Sequence, residues 1–276
     1  MLVAAFLVQT IVPPVMSVRE IGPPTQITGG QTHEIIQGEI KATLFIPDSS
    51  SATNLEQLWI HFHTAEWFVV QEYQRANFSH PVLIFNLGQG STTYARPFSQ
   101  KCALKPFLDY TIKITERPIS SLNFTSFSAG YGAVRILIQD QSILAQIRTI
   151  ILCDSSYAGF SDPATRTILP EHLNVWQPVI DRAVKKELTF VMTTSEITPD
   201  SYAGTWEVAS ALVQKNQGEM QPANPELSAS QDPSYPLLRT FAKGNWHVWS
   251  YAGTDAGAHT THPRHLADIL HQLKTK

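Results

Sequence analysis

Short runs rich in apolar residues and free of Asp, Glu, Lys and Arg recur along the chain, and between them lie stretches whose apolar positions fall at helical spacing. Residues 57–62 (QLWIHF), 81–85 (PVLIF), 121–127 (SLNFTSF), 149–153 (TIILC), 188–192 and 246–251 predict buried strands. Residues 32–37 and 40–46 alternate polar with apolar positions and predict a hairpin. Helices are predicted over 67–75, 98–115, 129–139, 173–186, 205–214 and 263–273, while 218–244, with its Pro and Ser, reads as a surface excursion. Strands too apolar to have one wet face, alternating with helices, imply an α/β fold with a mostly parallel central sheet and helices on both faces. Such sheets collect function at the carboxyl ends of their strands. No repeat or domain boundary interrupts this pattern, so 32–276 reads as one α/β domain, with 155–187 as the candidate for a small lid.

Composition narrows the function classes. With 276 residues, 43% hydrophobic and 16% charged, the chain is long enough for a sizeable core and does not fit a disordered or fibrous class. A net charge of -3 and the lack of any Lys/Arg run interleaved with aromatics exclude an extended nucleic-acid surface and favour a small-molecule partner. Cys102, on a predicted helix, and Cys153, in a buried strand, give neither a disulfide framework nor a cysteine zinc site. The 88–91 loop (GQGS) lacks the Lys-Ser/Thr ending that cradles phosphate. No cofactor and no metal are expected, and nothing in the sequence specifies an oligomeric state.

Residues 1–31 comprise an apolar segment and a lead-in loop. The apolar stretch 2–12 is too short to span a bilayer, so no stable membrane insertion is expected. Pro13, Pro14 and the small residues after them suit a signal peptide and a secreted or periplasmic protein, yet no Lys or Arg precedes the run. A buried N-terminal strand or helix in a cytoplasmic protein stands as the alternative.

The most specific chemistry lies in 122–134 (LNFTSFSAGYGAV), where an apolar strand runs into a serine flanked by small residues and then into a helix. That is the pattern of a nucleophile elbow, in which a sharp strand-to-helix turn exposes the serine hydroxyl and requires small neighbours two positions away. Ser126 and Gly130 occupy those positions around Ser128, with Ser126 where the G-x-S-x-G pattern has glycine. On these residues the chain resembles the α/β-hydrolase superfamily, as a serine esterase/lipase-like member with a variant S-x-S-x-G elbow.

The resemblance implies a base and an acid following the serine in the order serine, acid, histidine. His259, in the Gly/Ala-rich 251–263 segment after the last strand, is the favoured base; His262, which precedes Pro263 at a predicted helix start, is the alternative. Asp154 ends the TIILC strand, where burying a carboxylate requires a specific partner, and is favoured as the acid over Glu196, which follows the next strand. A turn or capping role for Asp154 is the plainer reading. Oxyanion donors are expected from Ala129 and from the 61–67 segment (HFHTAEW), which resembles an HG-type oxyanion loop with Thr64 where glycine is common. His63, Trp67, Tyr131 and Tyr157 adjoin these segments and are candidates for the substrate pocket, although aromatics there serve packing equally well. His61 and His63, on one side of a strand, would be a metal pair only with further ligands, and none lies at ligand spacing. The expectation is a serine hydrolase that cleaves an acyl ester or amide through a covalent acyl-enzyme. A catalytically inactive binding protein on the same fold is the alternative, motivated by Ser126 and Thr64.

Overall fold

Alternation within the central strands decides the layering. In β3 (Gln57–Phe62), Leu58, Ile60 and Phe62 join one buried apolar cluster and Trp59 joins another across the sheet. A strand covered on both faces has no solvent side, which is why apolar residues point to both of its faces. The computed structural model describes residues 11–224 and 234–274.

One sheet of ten strands runs in the order β1 (Gly30–Gln37), β2 (Ile40–Pro47), β4 (Val82–Phe85), β3, β5 (Ser121–Phe127), β6 (Ile147–Cys153), β9 (Thr189–Thr194), β12 (Trp246–Tyr251), β11 (Leu237–Lys243) and β10 (Gln221–Pro222). The six strands from β4 to β12 in this order pair in parallel. The outer strands on both sides pair antiparallel. On one face pack α2 (Ser91–Phe98), α3 (Lys105–Thr115), α4 (Tyr131–Leu137), α5 (Gln141–Gln146), α7 (Gln177–Val184) and α8 (Thr205–Lys215), through Tyr94, Phe107, Val134, Leu144, Ile180 and Leu212. On the other, α1 (Glu66–Arg75) and α10 (Leu266–Lys274) bring Val70, Tyr73, Ile269 and Leu270 against Trp59, Ile84, Ile151 and Trp249. The mostly parallel, doubly covered sheet expected from the sequence is the one the chain forms.

Three expected helices are each replaced by a pair. The 98–115 stretch divides into α2 and α3 at a turn in which Cys102 has φ 61°, so Cys102 is an exposed turn residue and not a helical one. Residues 173–186 divide into α6 (Pro170–Asn174) and α7, and the closing helix into α9 (Ala256–Arg264) and α10. Prolines at the first turns of α3, α6 and α7 mark where a helix starts, because proline lacks the donor a helix interior needs. Within 218–244 the surface excursion is corrected by β11, which pairs along β12; residues 225–233 of that stretch lie outside the described residues. The 155–187 segment holds a small hairpin of β7 (Phe160–Asp162) and β8 (Thr167–Ile168), followed by α6 and α7.

Of the apolar segment at the N-terminal end, residues 1–10 lie outside the described residues. From Ile11 onward the chain lies along the α10 side of the sheet. Ile11 and Met16 are buried, Tyr251 Oη donates to the Pro14 carbonyl (2.8 Å), and His265 Nε2 donates to that of Ser17 (2.9 Å). Arg19 and Arg264 clasp each other, each guanidinium donating to the other's carbonyl at 2.7 Å. Arg19 also pairs with the fully buried Glu72.

Candidate active site

Every residue of β5 is buried, although Asn123, Thr125 and Ser126 are polar. Phe127 is still extended at φ -121°, and the chain then turns through Ser128 at φ 46° into a short turn, Ser128–Gly130, that leads into α4. A left-handed conformation costs a non-glycine residue roughly 1–3 kcal/mol and persists only where its surroundings hold it. Behind the corner, a Cβ on Gly130 would lie 2.2 Å from the Phe62 carbonyl, so only glycine lets this turn approach the end of β3.

Asp154 follows the neighbouring strand and makes a matching corner at φ 44°. Its fully buried carboxylate accepts from Ser195 N (2.8 Å), Ser195 Oγ (2.8 Å), His259 Nδ1 (2.6 Å) and Thr205 Oγ1. Burial pushes its pKa upward, but the adjacent His262 and His259 imidazoles and the hydrogen bonds from His259 and Thr205 outweigh that and hold it at about 2. A permanent carboxylate only accepts, so His259 carries a proton on Nδ1, and in the neutral ring Nε2 is the accepting nitrogen.

His259 does not lie in a loop. The Gly/Ala-rich segment forms α9, because Asp255 caps it by accepting from Ala258 N at 2.7 Å. The His259 ring centroid lies 4.5 Å from that of Phe127, and His63 stacks on the same ring at 5.6 Å. Tyr157 Oη reaches both His259 Nδ1, at 3.5 Å, and the Ser128 side chain. Tyr157 Oη thus reaches toward both Ser128 and His259, and His259 bonds Asp154 through Nδ1. Burial raises the Tyr157 hydroxyl well above its ordinary range, with the Asp154 charge reinforcing it, so it stays a neutral donor.

The alternatives are placed elsewhere. His262 turns beneath the acid, fully buried, with Nδ1 at 2.8 Å from Thr193 Oγ1, and burial lowers it to about 4. Glu196 faces Arg239 at 3.4 Å.

On the other side of Ser128, His61 is pinned at both ring nitrogens. Its Nε2 donates to the His63 carbonyl (2.7 Å), so Nδ1 accepts from Thr125 Oγ1 (2.7 Å), which in turn accepts from Tyr73 Oη (2.9 Å). Burial lowers the His61 imidazole to about 3, consistent with the neutral ring this chain of donors requires. The anchored carbonyl belongs to a loop in which His63 has φ 73° and Thr64 φ 115°, a conformation usual for glycine and strained for a β-branched residue. Among the described residues, neither the Thr64 nor the Ala65 amide donates to another group. His63 Nδ1 meets Tyr94 Oη at 2.9 Å, and burial lowers its pKa. Tyr131 contacts Tyr157 at 5.7 Å between ring centroids, whereas Trp67 packs against Phe68 on α1. Among the described residues no cluster of His, Cys, Asp or Glu could hold a metal, and no helix is long and apolar enough to cross a membrane. A groove of about 950 Å³ between the β1–β2 turn and α2, lined by Ile40, Leu87, Arg96 and Phe107, shares no residue with the site.

Sequence reading missed the residues that hold the site residues in place: Ser195 and Thr205 at the acid, Thr193 at His262, Thr125 and Tyr73 at His61, Tyr94 at His63, and Ser155 at the elbow. One signal was available. Thr125 and Ser126 are polar residues inside a strand with no wet face, and a buried hydroxyl needs a partner.

Comparison with protein-family models and with curated proteins returns no match. Solved structures do match. The chain is similar to a thermostable carboxylesterase cloned from a metagenomic library (TM-score 0.52, 13% identity, 91% of this chain and 91% of that one). It is also similar to an esterase of Pyrobaculum calidifontis (TM-score 0.50, 10% identity, 89% and 85%). A third is the feruloyl esterase module of Clostridium thermocellum solved with sinapinate (TM-score 0.50, 12% identity, 95% and 90%). At such identities the likeness is one of architecture, and with the strand order above it establishes the α/β-hydrolase fold.

Proposed function

We propose that the protein is a carboxylic ester hydrolase acting on a small-molecule acyl ester through Ser128, His259 and Asp154. The observation that carries this reading is the Asp154 carboxylate: fully buried, held at about 2, and 2.6 Å from His259 Nδ1. An unpaired carboxylate would be costly there, and its bond to Nδ1 fixes the imidazole tautomer that can accept a proton at Nε2.

Ser128 Oγ attacks the acyl carbonyl while His259 Nε2 takes its proton, forming a tetrahedral oxyanion. Backbone donors at Ala129 and Thr64 receive that charge. Collapse breaks the bond to the leaving oxygen, which departs as an alcohol with the proton from His259. Water then attacks the acyl-enzyme, gives its proton to Nε2, and releases the carboxylic acid and free Ser128. No cofactor takes part. The same site accommodates an amide in place of the ester, and His63, Tyr131 and Tyr157 form the near wall of the substrate cleft.

A fluorophosphonate probe, which needs no guess about substrate, should label Ser128 and no other serine. Short-chain p-nitrophenyl esters should be turned over, and Ser128→Ala should lower kcat by roughly 10⁶-fold. Activity that survives this substitution removes Ser128 from the mechanism; inertness of the unsubstituted protein toward the probe and toward short and long esters favours the non-catalytic binding protein.

A further inference from the structure

We propose that Ser126 and Ser155 are positioning residues: a two-hydroxyl bridge that holds the Ser128 corner against the acid loop and thereby sets the approach of nucleophile to base. The inference rests on the reading of Ser128 as nucleophile. Ser126 and Ser155 are both fully buried, their hydroxyl oxygens 2.8 Å apart, and Ser155 Oγ donates to the Ser128 carbonyl at 2.8 Å. A hydroxyl has one proton to give. Ser155 spends its own on the carbonyl, so Ser126 must donate to Ser155, and the direction of the bridge is fixed: Ser126 to Ser155 to the Ser128 backbone.

The position of this bridge along the chain gives it consequence. Ser155 directly follows Asp154, so one peptide unit presents a carboxylate to His259 and a hydroxyl to the backbone of Ser128. Strands β5 and β6 run parallel with Phe127 opposite Cys153, so the two corners leave the sheet level with each other. Both corners are left-handed at non-glycine residues, at φ 46° and φ 44°, and neither conformation is held by local preference. For Asp154 the hold comes from its saturating donors. For Ser128 it comes from the bridge. Ser126, which departs from the glycine usual in this pattern, is therefore the distal anchor of the nucleophile's corner, and its oxygen matters rather than its size.

The test compares Ser126→Ala, Ser126→Gly, Ser155→Ala and the Ser126→Ala/Ser155→Ala pair with the unsubstituted protein, each below its own melting temperature. Readouts are the rate of fluorophosphonate labelling at Ser128 and the kcat and KM of an ester. Each single variant should label and turn over about 10- to 100-fold more slowly with KM within about twofold, the scale expected when a nucleophile is displaced by an ångström or less. The pair should be no worse than Ser155→Ala, because the two act in series. The acid limb of the pH–rate profile should not move, since the His259–Asp154 bond is untouched. Ser126→Gly, which restores the usual pattern, should be as slow as Ser126→Ala. Should Ser155→Ala fail to fold, the two Ser126 variants, which keep Ser155, carry the comparison. Labelling of the variants at the unsubstituted rate overturns the inference, as does a Ser126→Gly protein as fast as the parent or a loss that appears only in KM or melting temperature. Failure of the unsubstituted protein to label at Ser128 removes the proposed function itself, and this inference with it.

Discussion

The two flanks of Ser128 are built on opposite principles. On the β6–β9 side a buried negative charge is saturated with donors from Ser195, Thr205 and His259, and another imidazole, His262, is kept neutral below it. On the β3–β4 side the network that reaches the loop carries no charge. A chain of neutral groups, Tyr73, Thr125 and His61, ends on the His63 carbonyl and leaves the Thr64 and Ala65 amides without a described acceptor. One flank holds a charge that is always present; under the proposed mechanism the other meets a charge that exists only briefly. Groups that bind a permanent charge must be satisfied before substrate arrives, and groups that bind a transient one must not be, or they would have to break bonds at the moment of reaction.

Breaking the permanent-charge side should have the largest effect. Asp154→Asn should lower kcat by about 10⁴-fold, because an amide no longer fixes the His259 tautomer. It should also destabilise the fold, since its NH₂ would oppose the Ser195 and Thr205 donors; steady-state kinetics and thermal melting check the two effects separately. On the transient-charge side, His61→Phe should lower kcat by at most about 10²-fold with little change in KM, since the loop donors are misplaced and not deleted. An equal loss in the two variants would mean the flanks are not distinct.

The third test uses pH. Unfolded His262 takes up a proton near the ordinary imidazole value of 6.5, the folded ring only at about 4. Between those values the unfolded state binds more protons, so stability should be full above pH 6.5 and fall as pH drops toward 4, by on the order of 3 kcal/mol. His61, lowered to about 3 by burial, adds to the same slope. Urea melts at stepped pH should show a shallower dependence in His262→Gln than in the parent; an unchanged slope would remove His262 as a buried neutral group. The smallest effect is expected of Glu196→Gln, which disturbs only the contact with Arg239 and should alter kcat by less than about twofold.

Fold and site were legible to different depths, for reasons particular elements make plain. Strands 57–62, 121–127 and 246–251 could be read because a strand buried on both faces carries large apolar residues at neighbouring positions and not only at alternate ones, or lacks charge altogether. The divided helices were missed where Pro106 and Pro178 were read as helix interior, although each marks a first turn. Strand β11 was missed because Arg239, Thr240 and Lys243 give it the polarity of a strand near the sheet edge, which resembles a loop in composition. At the site, Ser128 and Asp154 stand out because each violates a local rule, a serine between small residues and a carboxylate closing an apolar run. Their supports violate none. Ser195, Thr205 and Tyr73 are ordinary polar residues until the fold brings them across 41, 51 and 52 positions to their partners.

The Arg19–Arg264 clasp spans 245 positions of chain and closes on the last turn of the helix that bears His259. Force applied through a tag or surface linker ahead of Ile11 would pass along the docked stretch into that clasp and so into α9. Anchoring the protein at the turn around Gly38, between β1 and β2, would leave the load path clear of the candidate site.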